Sequence, residues 1–162
     1  IRAARSSSGA TGSAGGSPGS ISMPERPLPG SGSHYRMTFT AGPEHIDFMG
    51  HVNNAVWLQW AQDIAGAHWE AVADPAHVDA YLWVVTRHEI DYRGNVSEGE
   101  EVVAETRIEA PPVGARFERR IDFMAKDSDR PIVSVRSLWA MVGRESRRLV
   151  RITPEVAAPF LG

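Results

Sequence analysis

The chain has no cysteine. That excludes a disulfide scaffold, a thiol nucleophile and a thiolate metal site, and it fits a reducing, cytoplasmic setting. Lysine is almost missing too. Lys126 is the only lysine among seventeen basic residues, which reads as an effect of codon composition rather than of chemistry. There is no excess of positive charge: the net charge is −3, so no general attraction to nucleic acid or to an anionic membrane is expected. No apolar run approaches the ~20 residues of a membrane span. No GxSxG elbow, Walker loop or dinucleotide fingerprint occurs. His45, Asp47 and His51 lie close together, but their spacing matches no zinc signature and further ligands are missing, so neither metal nor cofactor is expected.

The chain does have enough apolar residues, 42% of 162, for one domain with a sizeable core. They are unevenly placed. Residues 1–33 are rich in Gly, Ser, Ala and Pro. Such a segment cannot bury enough surface to offset its ordering entropy, so it is expected to be a disordered tail before a domain at 34–162. Met23 would make a natural start, and a linker or tail fits the segment better than a targeting signal, whose pattern is lacking. Tyr35 to Ala41 alternates as a half-buried strand. A helix is predicted from about Asn54 to Val72, with Trp57, Trp60, Ala61, Ile64, Ala65, His68 and Val72 on its buried face. Four strands follow, at Leu82–Tyr92, Glu101–Glu109, Arg116–Lys126 and Ile132–Gly143. The first two are expected to pair through a turn around Ser97-Glu98-Gly99, and the last to lie inside the sheet or at a subunit contact. Thr153-Pro154-Glu155 suits the start of a short closing helix. One helix and antiparallel strands with short links make an α+β domain.

The densest chemistry is Asp47-Phe48-Met49-Gly50-His51-Val52-Asn53-Asn54-Ala55. It sets a carboxylate, a glycine, an imidazole and two amides at the start of the predicted helix. A helix N-terminus offers unpaired N–H groups and a positive dipole end, which suit a developing oxyanion. A carboxylate just upstream can attack, or activate water. The segment therefore reads as a site for acyl transfer to water. Asn53 or Asn54 would cap the helix. Other strands carry candidates on their apolar sides. Thr86, His88 and Ser137 are small or polar residues able to line an acyl pocket. Arg119 falls among Phe117, Ile121 and Phe123, where an arginine must be paired. It would contact a substrate phosphate, reach across a dimer, or form an internal salt bridge. Arg116, Arg120 and Arg136 lie on the opposite faces. Asp63 shares a polar helix stripe with Gln59 and Gln62 and reads as an interface or solvated residue.

The run Asp47-x-x-Gly50-His51-Val52-Asn53-Asn54-Ala55-x-Trp57-Leu58-x-Trp60, the strand Val85–Tyr92 and the acidic turn before Val102 resemble the hot-dog-fold acyl-CoA thioesterases, nearest to the 4-hydroxybenzoyl-CoA thioesterase branch. The His-Val-Asn-Asn core also resembles the plant acyl-ACP thioesterases. The resemblance covers about residues 34–157. It implies one long central helix wrapped by a five- or six-stranded antiparallel sheet, and a homodimer or dimer of dimers with active sites between subunits. It implies acyl-CoA hydrolysis to free acid and CoA, with Asp47 as nucleophile or general base and the Asn54 backbone amide as oxyanion donor. His51 would hold the loop or move a proton. Gly50, Trp57, Thr86, His88 and Arg119 would contact substrate, and the arginines on the other face would meet the CoA nucleotide. Alternatives are acyl-ACP hydrolysis, or a non-catalytic acyl-CoA-binding dimer, against which Asp47 argues.

Overall fold

A computed structural model describes residues 33–161; apart from Ser33, the tail expected at 1–33 lies outside the described residues. The chain runs His34–Thr40 (β1), Asn54–Val72 (α1), Pro75–Ala80 (α2), Tyr81–Tyr92 (β2), Glu101–Arg107 (β3), Arg116–Ala125 (β4), Pro131–Gly143 (β5) and Pro154–Leu161 (α3). The five strands form one sheet in the order β1-β3-β4-β5-β2, and every neighbouring pair is antiparallel. α1 packs on one face of it through Trp57, Trp60, Ala61, Ile64, Ala65, His68 and Trp69. This is the α+β hot-dog architecture that the resemblance implies. No helix among the described residues is long and apolar enough to cross a membrane.

Alternation decides which sheet face meets the helix. Phe117, Arg119, Ile121 and Phe123 of β4 are buried, as are Val102, Ala104 and Thr106 of β3 and Val133, Val135 and Ser137 of β5. The core has two parts. One gathers Trp57, Trp60 and Ile64 over Val102, Ile121, Phe123 and Val133. The other gathers Trp69, Phe117 and Met141 under Val156 and Phe160 of α3.

Three features depart from the sequence reading. β2 and β3 do not form a hairpin. β2 pairs with β5 at one edge of the sheet, while β3 lies between β1 and β4, so residues 93–100 cross the sheet instead of turning back. β2 also changes face midway. The pairing skips a residue between Val85 and Arg87, and this bulge at Thr86 shifts the alternation. Tyr81 and Trp83 pack against the second core group before it, and Ile90 against the first core group after it. The even-numbered face expected for the whole strand thus holds only beyond Thr86. Lastly, α2 follows α1 after a short break. The Asp74 side chain accepts from the Ala76 N–H, with Pro75 at the first turn, a combination that starts helices.

Candidate active site

Asp47 to Asn53 forms a tight loop that ends as α1 begins. Ile46 and Val52 face each other in an isolated antiparallel bridge. The Asp47 N–H donates to the His51 carbonyl over 2.9 Å and the Gly50 N–H to the Asp47 carbonyl over 3.0 Å. The Asp47 carboxylate is held by the loop it begins: Oδ1 accepts from the Met49 N–H at 2.8 Å and the His51 N–H at 3.4 Å. Gly50 has φ +80°, a left-handed conformation that side chains disfavour. At the far end the Asn53 side chain accepts from the Ala55 N–H over 2.9 Å, so Asn53 is the cap. The Asn54 N–H is the first amide of α1 and has no acceptor within the helix.

Three residues missed by the sequence reading hold this loop, Asn95 and Val96 of the link after β2 and Tyr92 at its end. The Asn95 side chain donates to the Val52 carbonyl over 3.0 Å, and the Val52 N–H donates to the Val96 carbonyl over 3.0 Å. The Tyr92 hydroxyl donates to the Asn54 carbonyl over 3.1 Å. The crossing of residues 93–100 is what brings Asn95 and Val96 under the loop. Their only sequence signal was a polar residue before a valine inside an otherwise turn-like link.

The remaining candidates separate. His51 acts on Asp47 through its backbone, and its side chain is exposed. Phe48 and Met49 project into solvent, 98% and 67% exposed. Trp57 is fully buried and meets Trp60 and Phe123 edge-on, because it lies on the apolar stripe of α1. Thr86 is the exposed bulge residue, and its hydroxyl donates to the Leu138 carbonyl over 3.1 Å. His88 is half-buried, with Nδ1 2.8 Å from the Ser137 hydroxyl, and burial lowers its pKa. Asp63 accepts from Gln59 on an exposed face of α1. On the outer sheet face Arg136 is engaged by Glu118 at 2.6 Å and Glu89 at 3.4 Å, and Arg120 by Glu109 at 2.9 Å.

Arg119 lies in none of these groups. It sits on the helix side of β4, 7% exposed. Its Nη1 donates to Thr106 Oγ1 over 2.8 Å and to His68 Nδ1 over 2.9 Å. Tyr35 stacks on His68, with ring centroids 5.4 Å apart. Together with the His88–Ser137 pair, which adjoins Arg119 in the β4–β5 register, these side chains make a buried polar band across all five strands. Arg119 also lines a cavity of about 320 Å3 between the second half of α1, the start of β2 and α3. Neither Asp47 nor Asn54 borders it.

The model of the acyl-ACP thioesterase N-terminal domain matches residues 32–160. Comparison with curated proteins gives no match. Among solved structures, an acyl-ACP thioesterase from Bacteroides thetaiotaomicron superposes with a TM-score of 0.68 at 23% identity, over 80% of this chain and 54% of that one. A 12:0-ACP thioesterase from Umbellularia californica gives 0.67 at 17%, over 80% and 51%. A hypothetical protein from Staphylococcus aureus, solved in complex with CoA, gives 0.69 at 13%, over 78% and 80%. The chain spans about half the length of the first two.

Proposed function

The chain belongs to the acyl-ACP thioesterase family, and on that premise we propose that it hydrolyses an acyl thioester at the start of α1. The observation that carries this reading is the juxtaposition there: the Asn54 N–H has no helical acceptor, and the loop before it holds the Asp47 carboxylate by two backbone donors. In this reading the Asp47 carboxylate takes a proton from water as the water oxygen attacks the thioester carbon. The carbonyl oxygen gains negative charge and is met by the Asn54 N–H and the positive end of the helix dipole. The tetrahedral intermediate collapses, the carbon–sulfur bond breaks, and the thiolate leaves with the proton from Asp47. His51 serves through its backbone N–H, which fixes the carboxylate, and Gly50 gives the loop its shape.

The match to the acyl-ACP thioesterase model favours a carrier-protein thioester. The structural likeness to a protein solved with CoA favours the second reading, an acyl-CoA. Rates on one acyl group borne by each carrier decide between them. A second copy of the chain fits the exposed Phe48 and Met49 of the motif loop and the edge of β2, which no strand among the described residues pairs, since unpaired edges and apolar tips are commonly covered. Residues 34–162 would be the working unit. Asp47→Asn tests the chemistry: thiol release should fall by roughly 10²–10⁴-fold with an unchanged circular dichroism spectrum. Turnover near the wild-type rate would sink the proposal.

A further inference from the structure

The cavity beside Arg119 is bordered by neither of the groups to which the hydrolysis is assigned, Asp47 and Asn54. Its volume of about 320 Å3 is at the small end for a small-molecule site. Its walls are mostly apolar and aromatic, with Trp69, Trp83, Ile108, Phe117 and Phe160 among them. Arg119 is the one buried charged residue among them. Both partners of its Nη1, Thr106 and His68, are uncharged acceptors. A guanidinium can only donate, so His68 Nδ1 must accept and the neutral ring carries its proton on Nε2. Among the described residues no carboxylate pairs with Arg119, and Nε and Nη2 have no acceptor.

An uncompensated buried cation costs several kcal/mol, and proteins ordinarily pair it. Burial draws Arg119 down to about 10, so it is still charged at neutral pH. Two further charged residues border the cavity, the exposed Glu70 and Arg144. They are of opposite sign, so Arg119 remains the unbalanced charge. A planar fork of donors matches a carboxylate, with which two parallel N–H···O bonds can form at once.

We propose that this cavity binds an aliphatic carboxylate, its head group on the Nε–Nη2 side of Arg119 and its chain against the aromatic walls. The inference goes beyond the hydrolysis proposed at Asp47 and stands independently of it. Such a group has two sources: a free fatty acid, or the far end of an acyl thioester derived from a dicarboxylic acid.

Trp69, Trp83 and Trp139 line the cavity, so tryptophan fluorescence of the full chain reports occupancy. Octanoate should give a saturable change and bind at least tenfold more tightly than 1-octanol, which has the same chain without the charge. Arg119→Met should remove that preference while 1-octanol still binds. Asp47→Asn should bind octanoate as the wild type does, even where it hydrolyses nothing. Equal affinity for the two ligands in the wild type overturns the proposal, and that comparison needs no variant to fold. So does a preference for octanoate that survives in folded Arg119→Met. Hydrolysis rates identify the source. A higher kcat/KM for the octanedioyl monothioester than for the octanoyl thioester, lost in Arg119→Met, assigns the site to the substrate's tail. Octanoate binding without that difference assigns it to a free acid.

Discussion

Gly50 and Gly66 permit one test of opposite signs. A Cβ built on either meets nothing within 4 Å, so Gly→Ala introduces no clash at either position and only backbone preference remains. Gly50 has φ +80°, where alanine costs about 1–2 kcal/mol. Gly66 lies inside α1, where alanine is better than glycine by about 0.5–1 kcal/mol. The same added methyl should therefore separate the two variants by roughly 1.5–3 kcal/mol. Urea unfolding followed by tryptophan fluorescence, with linear extrapolation to water, resolves such a gap. Melting should move in the same directions, by roughly 2–8 °C per kcal/mol for domains of this size range. Activity adds a second axis. Strain at Gly50 acts on the loop that holds the Asp47 carboxylate, so Gly50→Ala should lose turnover beyond any loss of folded protein, and Gly66→Ala should not. If Gly50→Ala is as stable as the wild type, the loop does not require its left-handed residue and the geometry assigned to Asp47 fails.

Asn53→Ala should cost about 1 kcal/mol through the lost helix cap. Asn54→Ala should retain most thioesterase activity, because the proposed donor is its backbone; measuring both in stability and turnover separates cap from oxyanion site. Asn95→Ala leaves the buried Val52 carbonyl without its side-chain donor. A loss of about 1–3 kcal/mol is expected, and lowered turnover should accompany it as the loop loosens. Burial holds His88 below its ordinary value of 6.5, so below that pH the unfolded chain takes up a proton that the folded chain resists. Stability contributed by neutral His88 is thus complete above the ordinary value and is lost as pH falls towards the folded one. Urea midpoints of His88→Gln should fall less steeply with acidification than those of the wild type.

Where the sequence was readable, the local signal and the tertiary partner agreed. α1 was expected from about Asn54 to Val72 and spans those residues, because an asparagine cap and a tryptophan-rich stripe both mark it. β4 alternates as expected, and Arg119 stood out there as an arginine among aromatics. Where it misled, the deciding partner lay far off in the chain. Eight residues between β2 and β3 look like a hairpin link, yet β5 takes the edge of β2. The bulge at Thr86 inserts a residue with no composition signature, so one alternation became two. Asn95 could not be recognised without knowing that its link crosses beneath the loop.

The buried polar band also governs which strand alignments are allowed. Side chains alternate across a sheet, so a slip of β4 by one residue turns every one of them over. Arg119 would leave His68 and Thr106, and Glu118, Arg120 and Asp122 would face the helix. One hydrogen-bonded cation would be exchanged for several unpaired charges in the core, at several kcal/mol for each ion. An all-apolar face tolerates a two-residue slip, which preserves the alternation. This one does not, since Arg119 would then oppose a different residue of β3 and lose both acceptors. A side chain costly to bury in any one position thereby makes every other alignment costlier still.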